Sequence, residues 1–275
     1  MKKNLDKTTI TSFGEEWQRF DQSQLNEKEG CKIFNEYFTI FPWDKVNKDS
    51  VGFDMGRGTG RWAKYFAPKV GQLSCIDPSK ALDIAKDNLS NISNISFISA
   101  TVDEDYLPLN SQDFGYSLGV LHHIPDTSSA IKGCVKVLKS GAPLLLYLYY
   151  AFDNRPFYFK LIWKISNLIR LVVSQLPDMM KNLLTDVFAY TLYYPLSKMS
   201  LFFEKLGFNV SSFPLSYYRN HSLYTMRTDS RDRFGTPMEH RFTKKRIEKM
   251  MKDADLHNIR FSESAPYWCV VGEKK

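Results

Sequence analysis

The sequence has few of the features that mark secreted, disulfide-rich or repetitive proteins. Its four cysteines, Cys31, Cys75, Cys134 and Cys269, are scattered and form no Cys-x-x-Cys pair. This spacing predicts buried, reduced thiols in a cytoplasmic protein rather than a disulfide framework. The first residues lack the apolar stretch of a signal peptide, which favours the same compartment. Internal repeats and low-complexity tracts are also missing.

Metal and nucleic acid are disfavoured as partners. Five histidines are present, but they show no ligand spacing typical of a metal site, so we expect no metal. The formal net charge of +7 is modest for 275 residues, and the chain has no arginine-rich arm or recognisable RNA-binding module. A basic surface can favour nucleic acid, anionic lipid or a phosphorylated ligand. Here an ordinary soluble surface is the favoured interpretation.

The most apolar region lacks the charge-free length of a membrane-spanning helix. Residues 157–173 are rich in large apolar side chains but contain Lys160, Lys164 and Arg170. A spanning helix needs about 20 predominantly apolar residues with few charges. The segment therefore predicts an amphipathic helix, and further helices are expected over 180–190 and 196–206.

What the sequence does contain is a glycine-rich turn between a strand and a helix. The motif Asp-Met-Gly-Arg-Gly-Thr-Gly at residues 54–60 follows an apolar run and precedes a helical segment at 61–67. Strand, glycine turn and helix in this order begin a nucleotide-binding α/β fold. The Gly-x-Gly-x-Gly spacing differs from the dinucleotide fingerprint. The acid at Asp54 would repel a pyrophosphate and suits a ligand with a positive amino group.

Two later segments continue this pattern. Residues 72–77 predict a strand that ends in Asp77, at the distance of about 20 residues where nucleotide-binding units place a ribose-binding acid. Capping of the next helix, which Pro78 opens, is the alternative role for Asp77. Residues 113–126 predict a strand, a loop with the run Leu-His-His-Ile-Pro-Asp, and a helix start. A strand over 142–150 follows.

These motifs resemble those of class I S-adenosylmethionine-dependent methyltransferases. The run at 121–126 is similar to that of the methyltransferases of ubiquinone and menaquinone biosynthesis. The resemblance covers residues 51–150 and does not extend over 151–240. It implies a Rossmann-like α/β fold with a seven-stranded sheet of order 3-2-1-4-5-7-6. The expected organisation is an N-terminal extension (1–50), a core (51–150 and 243–275) and a helical lid insertion (151–242).

The resemblance also implies S-adenosylmethionine as the cofactor. The implied contacts are Asp54, Gly56, Gly58, Gly60, Asp77, Pro78, Val102, Asp103, Gly119 and Leu121. Val102 would lie on the adenine ring and Asp103 would accept its amine hydrogen, although a solvated acidic turn at 103–105 is the alternative. Arg57 departs from the small residue or cysteine of many relatives. It would pair with Asp54, reach the methionine carboxylate or point to solvent.

Two histidines are candidates for the chemistry. A sulfonium methyl group is already electrophilic, so the protein must align the acceptor and remove a proton from a protonated one. His123, next to His122, is predicted to act as base or to orient the acceptor. Shaping the loop is the alternative role for both.

The insertion is predicted to cover the acceptor site, because ligands of open α/β sheets bind at the carboxyl ends of the strands. An oligomer interface is one alternative, and docking on a membrane surface is a less favoured one. Residues 217–242 predict a packed loop on the rim of the site, with a salt-bridged surface loop as the alternative. The candidate acceptor contacts are Tyr150, Arg219, His221, Tyr224 and Arg227. Trp17 and Phe20 would pack over the cofactor or anchor an added helix in the core.

The predicted function is methyl transfer from S-adenosylmethionine to a small-molecule acceptor. Transfer or cyclisation of the aminocarboxypropyl arm of the cofactor is one alternative. A non-catalytic protein that binds the cofactor is the other.

Overall fold

A seven-stranded sheet forms the centre of the computed structural model, which describes residues 4–275. The strands are β1 (Val51–Met55), β2 (Gln72–Ile76), β3 (Ile95–Ile98), β4 (Phe114–Leu118), β5 (Pro143–Tyr147), β6 (Leu256–Phe261) and β7 (Cys269–Lys274). Their order is β3-β2-β1-β4-β5-β7-β6. Strand β7 runs antiparallel to β5 and β6, and the other neighbouring strands are parallel. The predicted fold class and strand order are confirmed.

Helices cover both faces of the sheet. One face packs on α2 (Glu27–Tyr37), α3 (Ala63–Phe66) and the end of α4 (Leu82–Asn88), and the other packs on α5 (Thr127–Val137) and α10 (Lys244–Lys252). Because successive strand residues point to opposite faces, Phe53 and Met55 of β1 join the core on the α5 side. Burial on both faces leaves the carboxyl edge of the parallel strands as the place for a ligand.

The insertion adds four helices above this edge. They are α6 (Phe157–Val173), α7 (Asp178–Phe188), α8 (Tyr194–Lys205) and α9 (Leu223–Gly235). A π-helical turn at Ala189–Tyr193 joins α7 to α8. The two helices expected at 180–190 and 196–206 are therefore one continuous element, with the extra residue of the π turn absorbed within it.

Helix α9 corrects the expectation of a loop over 217–242. Its first turn is capped by Ser222, whose side chain accepts a hydrogen bond from the Thr225 amide at 3.2 Å. The helix is buried on most of its circumference, although most of its side chains are polar. No apolar stripe marks such a helix in the sequence, which is why periodicity did not reveal it.

The N-terminal helix α1 (Lys7–Arg19) packs on the insertion rather than standing alone. The Ser12 hydroxyl donates to the Gly235 carbonyl at 3.1 Å, and Arg19 pairs with Asp186 of α7 at 2.5 Å. Arg231 of α9 is fully buried and pairs with Asp178 at 2.9 Å. The N-terminal extension and the insertion thus form one cover over the strand ends.

Candidate active site

The glycine turn after β1 lies at the floor of a large cavity. Gly56 has a φ of +80°, and a Cβ atom there would lie 2.4 Å from the Val120 side chain, so glycine is required. The Gly56 amide donates to the Ile76 carbonyl at 2.8 Å, which holds the turn against the end of β2. Gly58 also lines the cavity, whereas Gly60 packs behind the turn against Leu89.

Asp77 fixes the same turn from the next strand. One of its carboxylate oxygens accepts from the Gly58 amide at 3.0 Å and the other from the Ser79 amide at 2.8 Å. The side chain lies in the cavity wall beside Pro78. Helix α4 begins at Leu82 without a side-chain cap, so the alternative role of Asp77 as a helix cap is excluded. The ribose contact stays a prediction.

Asp54 lies beneath the turn and does not form part of the cavity wall. It is buried, and desolvation raises the pKa of its carboxyl to about 7, an effect partly offset by the Tyr116 hydroxyl and the Arg57 guanidinium. Arg57 is buried too, donates to the Cys75 carbonyl at 3.3 Å and lines the cavity, which excludes the solvent-facing alternative. Asp54 and Arg57 are therefore both buried at the glycine turn.

The expected adenine contacts divide between the cavity and the surface. Val102 is buried and lines the cavity. Asp103 is exposed and accepts hydrogen bonds from the Asn4 amide at 3.0 Å and the Thr101 hydroxyl at 2.7 Å. Of the two residues expected near the end of β4, Gly119 lines the cavity and Leu121 is buried behind it.

His123 lines the cavity, and one of its ring nitrogens has no hydrogen-bond partner among the described residues. Its Nδ1 lies 2.6 Å from the Met238 carbonyl oxygen, which only accepts, so the proton is on Nδ1 and Nε2 carries a lone pair. Nε2 makes no hydrogen bond with any described residue and lies 3.9 Å from the Asp232 carboxylate. Burial lowers the pKa of the imidazole, against the opposing effect of Asp232. A neutral ring with a free lone pair is suited to accept a proton.

His122 occupies a different environment. It is fully buried, stacks on the Tyr149 ring at 3.8 Å between centroids and does not line the cavity. Burial lowers the pKa of its imidazole well below the ordinary value. The structure thus separates the two adjacent histidines, and only His123 faces the cavity.

The cavity of about 650 Å³ extends from the glycine turn to the helices of the cover. Its far half is lined by aromatic side chains, including the predicted Tyr150, and by two acids of α9. The aromatic residues there are Tyr147, Tyr149, Tyr150, Phe152, Phe159, Trp163, Tyr193, Phe213, Tyr217, Tyr218, Phe234 and Tyr267. This half has the mixed apolar and polar lining of a small-molecule site.

The acids Asp229 and Asp232 were missed as site residues. Burial raises the pKa of Asp229 to about 6, and Asp232 accepts a hydrogen bond from the Tyr149 hydroxyl. Glu16 of α1 lies close enough to both acids for their charges to raise its own pKa further above the ordinary value, beyond the larger effect of burial. A helical spacing of three residues would place 229 and 232 on one face, but the segment was interpreted as a loop.

Four predicted acceptor contacts lie away from the cavity. Arg219 pairs with Glu204 at 2.8 Å, and Arg227 pairs with Asp186 at 3.1 Å. His221 is buried, with Nδ1 2.9 Å from the Tyr217 carbonyl oxygen, and the Tyr224 hydroxyl accepts from the Gln22 amide at 2.9 Å. These side chains instead join α8, α7 and the N-terminal segment to the helix behind the wall.

Helix α1 closes the cofactor side. Trp17 lines the cavity next to the glycine turn, and Phe13 packs edge-on against the His123 ring at 4.9 Å between centroids. Phe20 is buried in the core and does not reach the cavity.

Within residues 4–275 no group of three potential ligands is arranged to hold a metal ion. No helix of the same range is long and apolar enough to cross a membrane.

The family comparison agrees with this geometry. Residues 53–146 match the family model described as a methyltransferase domain. Those residues contain the glycine turn, Asp77 and His123. The chain contains a class I S-adenosylmethionine-dependent methyltransferase domain. S-adenosylmethionine is the cofactor that this domain implies, and the site fits it. Gly56 and Gly58 of the turn line the cavity, and the buried carboxylate of Asp77 lies at the end of the neighbouring strand.

Several solved structures share the fold across nearly the whole chain. Human N-acetylserotonin methyltransferase in complex with S-adenosylmethionine is 17% identical, with 96% of this chain and 57% of that chain covered and a TM-score of 0.54. An O-methyltransferase family protein from Burkholderia thailandensis is 12% identical, with 97% and 59% covered and a TM-score of 0.54. A methyltransferase complex with an activator from Haloferax volcanii is 12% identical, with 94% and 96% covered and a TM-score of 0.54. At these identities the likeness concerns the fold alone. Among curated proteins, none matches the sequence.

Proposed function

We propose that the protein methylates an oxygen or nitrogen of a small-molecule acceptor held in the far half of the cavity. The observation that carries this proposal is that His123 lines the cavity and that its Nε2 has no hydrogen-bond partner among the described residues and lies 3.9 Å from the Asp232 carboxylate. Bound S-adenosylmethionine supplies an electrophilic methyl group. The residues of the chain must bind the two molecules, align them and accept the proton that the acceptor loses.

His123 is the group placed to accept that proton. Its Nδ1–H bond to the Met238 carbonyl fixes the ring and its tautomer, so that Nε2 is the nitrogen that takes up a proton. The imidazolium formed would lie 3.9 Å from the Asp232 carboxylate, which stabilises the positive charge. General-base assistance of this kind contributes about 10²- to 10⁴-fold to a rate.

The chemistry of the wall limits the acceptor. Aromatic side chains surround it, and Asp229, Asp232 and nearby Glu16 favour hydrogen-bond donors or a positive charge over an anionic group. Two wall arginines, Arg233 and Arg241, share the Glu239 carboxylate at 3.0 and 2.7 Å, which offsets part of their positive charge. An acceptor with an apolar body and a hydroxyl or amine head suits this wall.

Cytoplasmic localisation stays a prediction.

The test uses cofactor labelled in its methyl group, incubated with fractionated cell extract. We expect label in a small molecule and release of S-adenosylhomocysteine. Release of methylthioadenosine would indicate transfer of the aminocarboxypropyl arm instead. Cofactor binding by calorimetry without turnover in any fraction would contradict methyl transfer and favour a binding protein.

A further inference from the structure

We propose that the exposed face of α6, with the neighbouring end of α8, docks on an anionic lipid surface. Helix α6 exposes an apolar stripe at Leu161, Ile165, Leu168 and Val172, spaced by three or four residues. These side chains are 54–66% exposed, although a solvent-facing stripe of a helix is ordinarily polar. The stripe is therefore the surface of α6 that lacks a partner in the monomer.

The stripe belongs to a larger apolar area on the insertion. Further exposed large side chains on or near α6 to α8 are Phe157, Ile162, Ile169, Leu171, Met179, Met180, Leu183, Val187, Tyr190, Leu192, Tyr194, Met199, Phe202, Leu206 and Phe208. Monomeric soluble proteins rarely expose so many neighbouring apolar residues. Such an area indicates a binding surface.

The charges on this area have one sign. Within residues 157–209, all of which the structure describes, the exposed charged side chains are Lys160, Lys164 and Lys205. The three acids of the range are partly buried and paired with arginines: Asp178 with Arg231, Asp186 with Arg19 and Arg227, and Glu204 with Arg219. Lysines on an apolar face can extend their ammonium groups to lipid phosphates while their stems stay in the apolar layer.

This charge pattern favours a bilayer over a second copy of the chain. A two-fold dimer pairs the same patch with itself, so the lysines would face lysines, while the acids of this segment are already paired with arginines. An anionic bilayer supplies both the apolar layer and the opposite charge.

The cavity reaches residues of these helices. Ile162 of α6 and Leu192 of the π turn both line the cavity, and each is 44% exposed. An amphipathic acceptor could therefore pass from the lipid layer between α6 and α8 to His123. That passage rests on the proposed methyl transfer, whereas the docking itself does not.

The test is flotation of the full chain, without cofactor, with vesicles of phosphatidylcholine alone or mixed with phosphatidylglycerol. We expect binding to the anionic vesicles that weakens as salt is raised. The double variant Leu161→Glu with Leu168→Glu should lose more than about tenfold in binding, since it removes apolar contact and adds like charge to the lipid. Leu109→Glu is the matched control, because Leu109 is 64% exposed and Leu168 is 65% exposed.

The lysines are tested separately. Lys160→Gln with Lys164→Gln should weaken anionic binding by roughly fivefold for each lysine. Lys28→Gln with Lys86→Gln, two exposed lysines outside the insertion, should leave binding unchanged. Equal binding to neutral vesicles, or equal binding by the face variants and their controls, would overturn the proposal. So would a dimer in sedimentation that Leu161→Glu with Leu168→Glu dissociates while vesicles are not bound.

These outcomes are independent of the methyl-transfer assay. A chain that floats with anionic vesicles but releases no S-adenosylhomocysteine keeps the docking face and loses the proposed reaction. A chain that methylates a water-soluble acceptor and ignores vesicles does the reverse.

Discussion

The two halves of the cavity are built in different ways. The cofactor half consists of short segments that directly follow β1, β2 and β4. Hydrogen bonds from backbone amides, such as those of Gly56 and Gly58, hold the glycine turn in place. The acceptor half consists of His123, of side chains from α6, α8 and α9, and of the segments around these helices. Backbone turns held by a sheet change little from one protein to another, whereas side chains on added helices vary freely. The comparison teaches that chemistry and specificity reside in separate parts of this chain.

The largest expected effect separates the two halves. His123→Gln should lower kcat by about 10²- to 10⁴-fold, because the acceptor proton loses its base. The affinity for S-adenosylhomocysteine should stay unchanged, since the cofactor half is intact. Steady-state kinetics and calorimetry measure the two quantities.

His257→Gln is the matched control for this variant. His257 also places Nδ1 against a backbone carbonyl, that of Glu273 at 2.8 Å, but lies on β6, outside the cavity. A His123→Gln enzyme with wild-type kcat would remove this residue from the chemistry.

The second effect concerns the cofactor half alone. Asp77→Ala should weaken cofactor binding by about 2 kcal/mol, or roughly 30-fold, through lost hydrogen bonds to ribose and to the turn. Calorimetric titration with S-adenosylhomocysteine measures this, with the exposed Asp83→Ala as control. Unchanged affinity would show that Asp77 does not contact the cofactor.

A smaller effect appears in the pH dependence. Because burial lowers the pKa of His123, its base form persists below pH 6.5, and kcat/KM should fall only at a pH below that value. Asp232 opposes this shift, so Asp232→Asn should move the acid limb to still lower pH. A pH–rate profile at saturating cofactor measures both enzymes. An acid limb at or above pH 6.5, or one that Asp232→Asn does not move, would contradict the role of the pair.

The smallest expected effect is on thermal stability and concerns the contact between α1 and α9. Glu16 makes no hydrogen bond through its carboxylate with any described residue, and burial raises its pKa well above 4.5. A raised folded-state pKa means that its stabilising contribution is complete below pH 4.5 and is lost as the pH rises through the folded value. Glu16→Gln should therefore raise Tm in alkaline buffer by about 2–4 °C for each kcal/mol recovered, and less at pH 5.

Thermal melts across pH measure this difference. Glu15→Gln on the same helix is the comparison, because Glu15 is 37% exposed at its side chain and lies 3.9 Å from Arg231. A Tm difference between Glu16→Gln and wild type that does not grow with pH would contradict the sign.

The fold and the cofactor half could be predicted because their signals are local. A strand followed by a glycine turn predicts a ligand-binding unit whatever segment follows it in the chain. The order of such units along the chain limits the possible strand orders of the sheet. The insertion was predicted to be helical from its apolar content. The π-helical turn that joins α7 to α8 was not predicted. Helix α9 was not predicted. Its polar side chains are buried by tertiary contacts, so its sequence shows no amphipathic stripe.

The acceptor contacts illustrate the same limit. Arg219 and Arg227 were chosen as polar residues among aromatic ones in a predicted rim loop. Each pairs instead with a carboxylate on a neighbouring helix and lies outside the cavity. Asp229 and Asp232 fell within the predicted rim loop but were not chosen as site residues, and they line the wall. Which face of a buried helix meets the ligand depends on helices far away in the chain.

The sequence by itself determined the strand–turn–helix units, because each follows from neighbouring residues and their backbone preferences. The strand order and the cofactor followed from the resemblance of these units to class I S-adenosylmethionine-dependent methyltransferases. Only the tertiary structure decided that His123 rather than His122 faces the cavity, that acids from α9 lie opposite it, and that the apolar side of α6 stays uncovered. Those outcomes depend on which surfaces meet and which remain exposed, and burial is a property of the packed molecule rather than of any segment.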